Sequence, residues 1–338
     1  VKRAASKGFT LIELMIAIVV IAIMTVAVAP LFSQYFAAQS AGYQEQAQQD
    51  NQAIVDALVL WARNNGGRLP APYTGAGYTM TVYNPSGTSA QEQSLRSALA
   101  DIAIARGGVN DDGSGARNVR VYQRISGLKK AVPLYGRSGP AVKLTYDFAA
   151  VYLTTCPLVG SGCNPSPATG IPGASSALVA SNRATWSAVW PDMGARFGST
   201  LPHEMEMLSA TARRADRVRD ALLAYYRGKQ VSAAYTDTTN WYPGGTMAGR
   251  TPGSNQGCRD GWYELDRTQI LPLVGLSQEE FGATTWGGRF EYCADFDALG
   301  TKSPNAPPHS AAIRFNAEVS AGLAPDPMVI SNNVLLTL

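Results

Sequence analysis

Apolar and polar residues are unevenly distributed along the 338 residues of this chain. From Leu14 to Phe32 no side chain is charged, and only Thr25 and Pro30 interrupt the run. That is about 19 residues, or roughly 28 Å of helix, enough to cross a bilayer core. Beyond it the pattern becomes periodic. A glutamine-rich stretch (Gln44, Gln46, Gln48, Gln49) leads into Ile54, Ala57, Leu58 and Trp61 at roughly helical spacing. Asn64-Asn65-Gly66-Gly67 then supplies a left-handed stop. The pattern predicts one helix from about Phe9 to Asn64, spanning a membrane over about residues 9–32. Its second half is amphipathic and is expected to pack on a globular body.

A second helix is predicted from about Pro202 to Arg227, with Leu208, Ala212, Ala215, Val218, Leu222 and Tyr225 on one stripe. Its arginines (Arg213, Arg214, Arg217, Arg219) lie off that stripe, with Asp216 and Asp220 spaced to pair with Arg213, Arg217 and Arg219. Between and after the helices, β-branched and aromatic segments bounded by turn residues predict strands. They are Thr79–Tyr83, Val119–Arg124, Val142–Tyr146, Val151–Thr155, Arg289–Tyr292, Ala311–Ala317 and Val329–Thr337. Two charge-poor stretches, 160–176 and 301–308, read as loops.

Composition adds a compartment. Lys2, Arg3 and Lys7 precede the apolar run with no acid among them, which keeps the N-terminus in the cytoplasm and places the rest outside. An ordinary cleaved secretory signal fits poorly, because the run is long and no A-x-A site is followed by a polar start. Outside the cytoplasm an even cysteine count reads as disulfides. Of the three possible pairings of Cys156, Cys163, Cys258 and Cys293, the local ones, Cys156–Cys163 and Cys258–Cys293, are expected. A net charge of +3 is too mild to call for a nucleic-acid partner.

One residue inside the apolar segment needs a reason. An acid, Glu13, stands near its start, and a lone acid there costs roughly 2.5–3.5 kcal/mol on insertion scales. Gly8-Phe9-Thr10-Leu11-Ile12-Glu13, behind a basic leader and ahead of Pro30, resembles the processing signal of type IV pilins and type II secretion pseudopilins. The resemblance covers about the first 30 residues and implies a cut between Gly8 and Phe9 by a prepilin peptidase, with N-methylation of Phe9. It also implies that Glu13 meets the N-terminal ammonium of a neighbouring subunit during assembly, a pairing that makes a buried carboxylate tolerable. Pro30 falls where the family bends or locally melts its helix.

Several short segments recur in order. Asp56-Ala57-Leu58, Val132–Gly136, Cys156 and Ser176–Val179 are echoed by Asp220-Ala221-Leu222, Leu271–Gly275, Cys293 and Ser310–Ile313, at steadily shrinking offsets. This suggests a duplicated module. The expected organisation is a leader (1–8), the N-terminal helix (9–64), a first pilin-like head (65–200), and a second helix with a second head (201–338). The fold class is α+β. Trp286-Gly287-Gly288-Arg289-Phe290-Glu291-Tyr292 resembles a hairpin of pseudopilin heads, with Thr285 where the family has Asp.

No catalytic constellation emerges, so an enzyme is not expected. His203-Glu204 opens like a zinc-protease motif, but Met207 stands where the second histidine belongs. Asn110–Ser114 is of the right kind for a calcium loop, yet Gly108 occupies the first ligand position of that pattern. Neither this turn nor Asp295 and Asp297 predicts a cofactor. The reading is a minor or specialised pilin that polymerises through its N-terminal helix. The implied partners are other pilin subunits (as homo- or hetero-polymer), the prepilin peptidase, an inner-membrane platform protein, an assembly ATPase, and membrane lipid before assembly. A pseudopilin, or an anchored adhesin or DNA- or sugar-binding head, is the alternative. For the latter, Trp241-Tyr242, Trp262-Tyr263 and Trp286 would carry an external ligand.

Overall fold

The computed structural model describes residues 11–72, 90–100, 119–154, 171, 173–188, 195–244, 250–251, 256–259, 261–298, 309–319, 321–325 and 332–338. The expected cleavage site at Gly8 and Phe9, the strand Thr79–Tyr83, the turn Asn110–Ser114, and Cys156 with Cys163 lie outside the described residues.

Helix α1 runs from Leu11 to Asn64, about 80 Å at 1.5 Å per residue. It ends where expected. Gly66 and Gly67 adopt positive φ (70° and 74°), and the Gly67 N–H closes on the Ala62 carbonyl at 2.8 Å. Its last turns bury Ile54, Val55, Leu58 and Ala62 against Tyr122, Ala149 and Val151 of a sheet. Leu95, Ala98 and Leu99 of a short helix α2 (Ala90–Leu99), absent from the sequence reading, close the same core.

That first sheet is built on a long antiparallel hairpin, β1 (Val119–Pro133) and β2 (Ala141–Thr154), with β3 (Arg196–Ser199) on the far side of β2. The two separate strands expected within 142–155 are one strand. Asp147, at their junction, looks like a turn residue but is fully buried. It accepts hydrogen bonds from the N–H groups of Leu69 (3.0 Å) and Gly127 (2.9 Å), and Arg68 lies at 3.3 Å. The register shifts between Ile125 and Leu128, where Gly127 adopts a φ of 72°. The bulge thus aims an N–H at this carboxylate. Asp147 therefore ties the exit of α1 to the hairpin.

β3 lies under α1 because it carries a glycine. A Cβ placed on Gly198 would sit 2.4 Å from Cγ1 of Val55 and 3.3 Å from Cγ2 of Val59. Gly198→Ala is expected to push α1 off the sheet and cost about 1–3 kcal/mol. Thermal unfolding of the detergent-solubilised chain would check this, and an unchanged midpoint would contradict the packing.

Helix α3 spans Leu201–Ser232, longer at both ends than its sequence pattern indicated. It packs on a second, five-stranded antiparallel sheet in the order β4 (Arg250–Thr251), β5 (Trp262–Glu264), β6 (Glu291–Cys293), β7 (Ala312–Phe315), β8 (Val334–Thr337). Two one-turn helices, α4 (Ile270–Leu273) and α5 (Gln278–Phe281), connect β5 to β6. Of the expected strand at 329–337, residues 329–331 lie outside the described residues, and β8 takes Val334–Thr337. A disulfide joins Cys258 to Cys293, with Cα atoms 5.9 Å apart.

The two sheets are not independent. The far half of the β1–β2 hairpin contributes Val132, Leu134, Val142 and Leu144 to the core made by α3 and the second sheet. The hairpin is long enough to pack on α1 at one end and α3 at the other. Of the echoed segments, the helical pair does match, with Leu58 and Leu222 both buried in helices. Two others differ locally. Val132–Gly136 forms a strand end and turn while Leu271–Gly275 lies in and after α4, and Ser176–Val179 is irregular while Ser310–Ile313 leads into β7.

Candidate assembly surface

Among the described residues, the longest stretch without internal cover is the first half of α1. Every described side chain from Leu11 to Tyr43 is exposed, and the first buried one is Ala47. A continuous apolar surface of this length requires a bilayer or other protein around it. Helix α1 is long and apolar enough to cross a membrane. Its internal polar groups are suited to that. The Thr25 hydroxyl donates to the Ile21 carbonyl at 2.8 Å, so it is satisfied without water.

Glu13 lies in α1, two residues after the first described one. Pro30 lies inside α1, and the helix continues through it without a break. Proline removes one rung of the hydrogen-bond ladder, and the turns on either side carry the helix past it.

A second polar cluster marks the seam between the two sheets. Glu204, in the first turn of α3, is buried. Its Oε2 accepts the indole N–H of Trp286 at 2.8 Å. A Cβ on Gly67 would lie 2.2 Å from its Oε1, and Gly67 already has positive φ. The carboxylate thus touches the end of α1, the start of α3 and the 284–288 turn of the second sheet. Burial pushes the Glu204 carboxyl above the ordinary carboxylate range; the Trp286 hydrogen bond and Arg68 pull it back less, and Asp147 adds to the rise.

A raised acid pKa means the folded state holds the proton more tightly. Glu204 then contributes stability that is present below the unfolded pKa and lost as pH rises through the folded one. Glu204→Gln keeps an acceptor for Trp286 and removes the charge. At pH 7 the variant is expected to melt no lower than the parent, and its relative advantage should vanish below about pH 4. Thermal midpoints from pH 4 to 8 test this. A variant clearly less stable at pH 7 would show that the charge is needed.

The residues considered for chemistry are occupied in other ways. Burial, and then Arg63, lower the His203 pKa below the ordinary imidazole value, against the weaker opposing pull of Glu206. His309 Nε2 lies 3.0 Å from the Thr238 carbonyl. Asp295 and Asp297 both bind Arg259, at 3.3 and 2.9 Å. Among the described residues no group of three or more His, Cys, Asp or Glu side chains is placed to hold a metal ion. Trp262 and Tyr263 are fully buried and Tyr242 nearly so. These aromatics form core, and Trp286 spends its N–H on Glu204. On α3, Arg219 takes both Asp216 and Asp220, whereas Arg213 bonds Ser209 and Arg214 bonds the Ala283 carbonyl. The expected ladder of pairs collapses onto one arginine.

The sequence signal for the bare helix was visible from the start. The seam was not, because its members are distant in sequence and the motifs that Glu204, Trp286 and Gly67 belong to say nothing of one another. Comparison with known proteins places weight on the same helix. Residues 3–29 match the model of the prokaryotic N-terminal methylation motif. No curated protein and no solved structure matches the chain. The chain therefore carries, on an exposed apolar helix, the N-terminal signal of type IV pilins and pseudopilins.

Proposed function

We propose that this chain is a structural subunit of a pilus-like filament, with a specialised two-sheet body. It is made as a single-pass inner-membrane protein with the body outside, cut between Gly8 and Phe9, and methylated on Phe9. The observation that carries this reading is the coincidence of the methylation motif with a helix whose described residues stay bare from Leu11 to Tyr43. Polymerisation supplies the missing cover, since helices from several copies bury one another as they leave the bilayer. Glu13 sets register against the amine of a neighbour's Phe9, and the two sheets form the shell. A peptidase, a membrane platform and an assembly ATPase are the partners of such a subunit.

The test is quantitative mass spectrometry of filaments sheared from cells, without reduction. The expected result is this chain in the filament fraction, beginning at N-methylated Phe9. Recovery only in membranes with Val1–Gly8 still attached would overturn the reading.

A further inference from the structure

The chain leaves α1 through Gly66-Gly67-Arg68-Leu69-Pro70. Every backbone hydrogen-bonding group of Leu69 and Pro70 is taken by a side chain of the β1–β2 hairpin. The Leu69 N–H donates to Oδ2 of Asp147 at 3.0 Å. The Leu69 carbonyl accepts from Nη1 of Arg124. The Pro70 carbonyl accepts from the Tyr122 hydroxyl at 2.8 Å, and proline has no N–H to place. Leu69, Pro70, Tyr122 and Asp147 are all buried, so losing one of these bonds leaves a polar group without water. Burial pushes the Tyr122 hydroxyl well above its ordinary range, so it stays a donor. Asp147 holds more than α1. Its Oδ1 accepts the Gly127 N–H of the bulge at 2.9 Å and lies 3.3 Å from Nη1 of Arg68. Its backbone N–H and carbonyl both engage Thr200, the residue before α3. Tyr122 and Arg124 alternate along β1, so they share the face on which α1 packs.

We propose that Asp147, Arg124 and Tyr122 are positioning residues for assembly: they lock α1 in axial register on the hairpin, so that a pull along the helix is carried into the body. The inference rests on the filament reading above. A subunit that leaves the bilayer is drawn along its helix, and the two-sheet body must follow from the far end of that helix. The rest of the α1 contact is ill suited to carry such a pull. Ile54, Val55, Leu58 and Ala62 bury an apolar stripe, and burial has no direction. The stripe opposes separation from the sheet more than slip along it, and packed elements do slip, by as much as one helical turn of about 5.4 Å. Two side-chain pairs also join α1 to the sheet, Arg196 to Gln48 at 2.8 Å and Arg120 to Asp50 at 3.6 Å. Long side chains of this kind can follow a sliding partner. The clamp at Leu69 and Pro70 holds backbone instead. Its bonds are directional, and a slip of one turn would break all three together. The joint between helix and clamp is closed as well. The Gly67 N–H bonds the Ala62 carbonyl at 2.8 Å, and Oε1 of Glu204 leaves no room beside Gly67 for even a Cβ.

The experiment uses full-length chains in their own cells, compared at matched stability. Asp147→Asn keeps the shape of the side chain, but its amide nitrogen then faces a donor, so the Leu69 and Gly127 N–H groups cannot both be accepted. Tyr122→Phe removes one oxygen and leaves the Pro70 carbonyl without its donor; it decides the matter where Asp147→Asn fails to fold. The controls are Val218→Ala and Leu222→Ala, both fully buried in the core of α3 and the second sheet. The control used is the one whose thermal midpoint equals or falls below that of the clamp variant. Incorporation is read as chain in sheared filaments over chain in membranes. The clamp variants are expected to incorporate about tenfold less than the parent, the worth of one buried hydrogen bond, and the control as well as the parent. In the detergent-solubilised chain, amide hydrogen exchange at Leu69 should quicken by about the same factor in Asp147→Asn and stay parental in the control. Clamp variants that enter filaments as well as the control overturn the proposal and leave the filament reading standing. So does a Leu69 amide that exchanges in the parent as fast as an open peptide. A parent chain absent from the filament fraction overturns both.

Discussion

Glu291→Ala should destabilise the body by about 3–5 kcal/mol, a large share of the roughly 5–15 kcal/mol that holds a domain folded. Glu291 on β6 stands opposite Arg314 on β7 in register. Both side chains are fully buried, and Nε of Arg314 lies 2.5 Å from Oε2 of Glu291. The guanidinium stacks 4.2 Å from the centre of the Trp262 ring and donates through Nη1 to Gln256 at 3.1 Å. Removing the carboxylate leaves a cation in a dry core that cannot move to water. The pair itself need not stabilise the fold, since desolvation offsets most of its attraction. A double replacement, Glu291→Leu with Arg314→Met, should therefore melt much closer to the parent than the single variant does. Urea unfolding of the detergent-solubilised chain, with the disulfide intact, separates these outcomes. A single variant within about 1 kcal/mol of the parent would mean that water reaches the pair.

The second large effect falls on assembly. For Glu13→Gln, the two readouts should move in opposite directions. Membrane insertion should be as good or better, because an acid in the apolar segment costs roughly 2.5–3.5 kcal/mol. Incorporation into filaments should fall by about a hundredfold, because a neighbour's buried ammonium would lose its counter-charge at a cost of about 3 kcal/mol or more. The ratio of chain in sheared filaments to chain in membranes measures both. Parental incorporation by the Gln variant would remove Glu13 from the assembly mechanism. A variant lost from both fractions would point to failed folding or insertion, and protease resistance of the body would distinguish those two.

Much of the long-helix architecture was legible along the chain. An uncharged run followed by a period near 3.6 and a Gly-Gly stop describes α1 from Leu11 to Asn64 without reference to anything distant. The stripe Leu208–Leu222 did the same for α3. The methylation signal is likewise local, because a peptidase reads a short linear segment. What the strands do was less legible. Asp147 looks like a break in β2, yet it is buried mid-strand because Leu69, Gly127 and Arg68 bring donors from elsewhere. Glu291 and Arg314 look like surface residues, yet each is buried because the other lies across the ladder. Trp262 and Tyr263 could serve a ligand or a core, and only the sheet around them decides for the core. Gly198 is an ordinary loop glycine until α1 lies over it. Helical periodicity and turn stops are set by neighbours within about four residues, so the sequence alone determined the two helices and the signal. A buried charge, a close approach or a shared hairpin depends on partners tens of residues away, so the tertiary structure alone decided those.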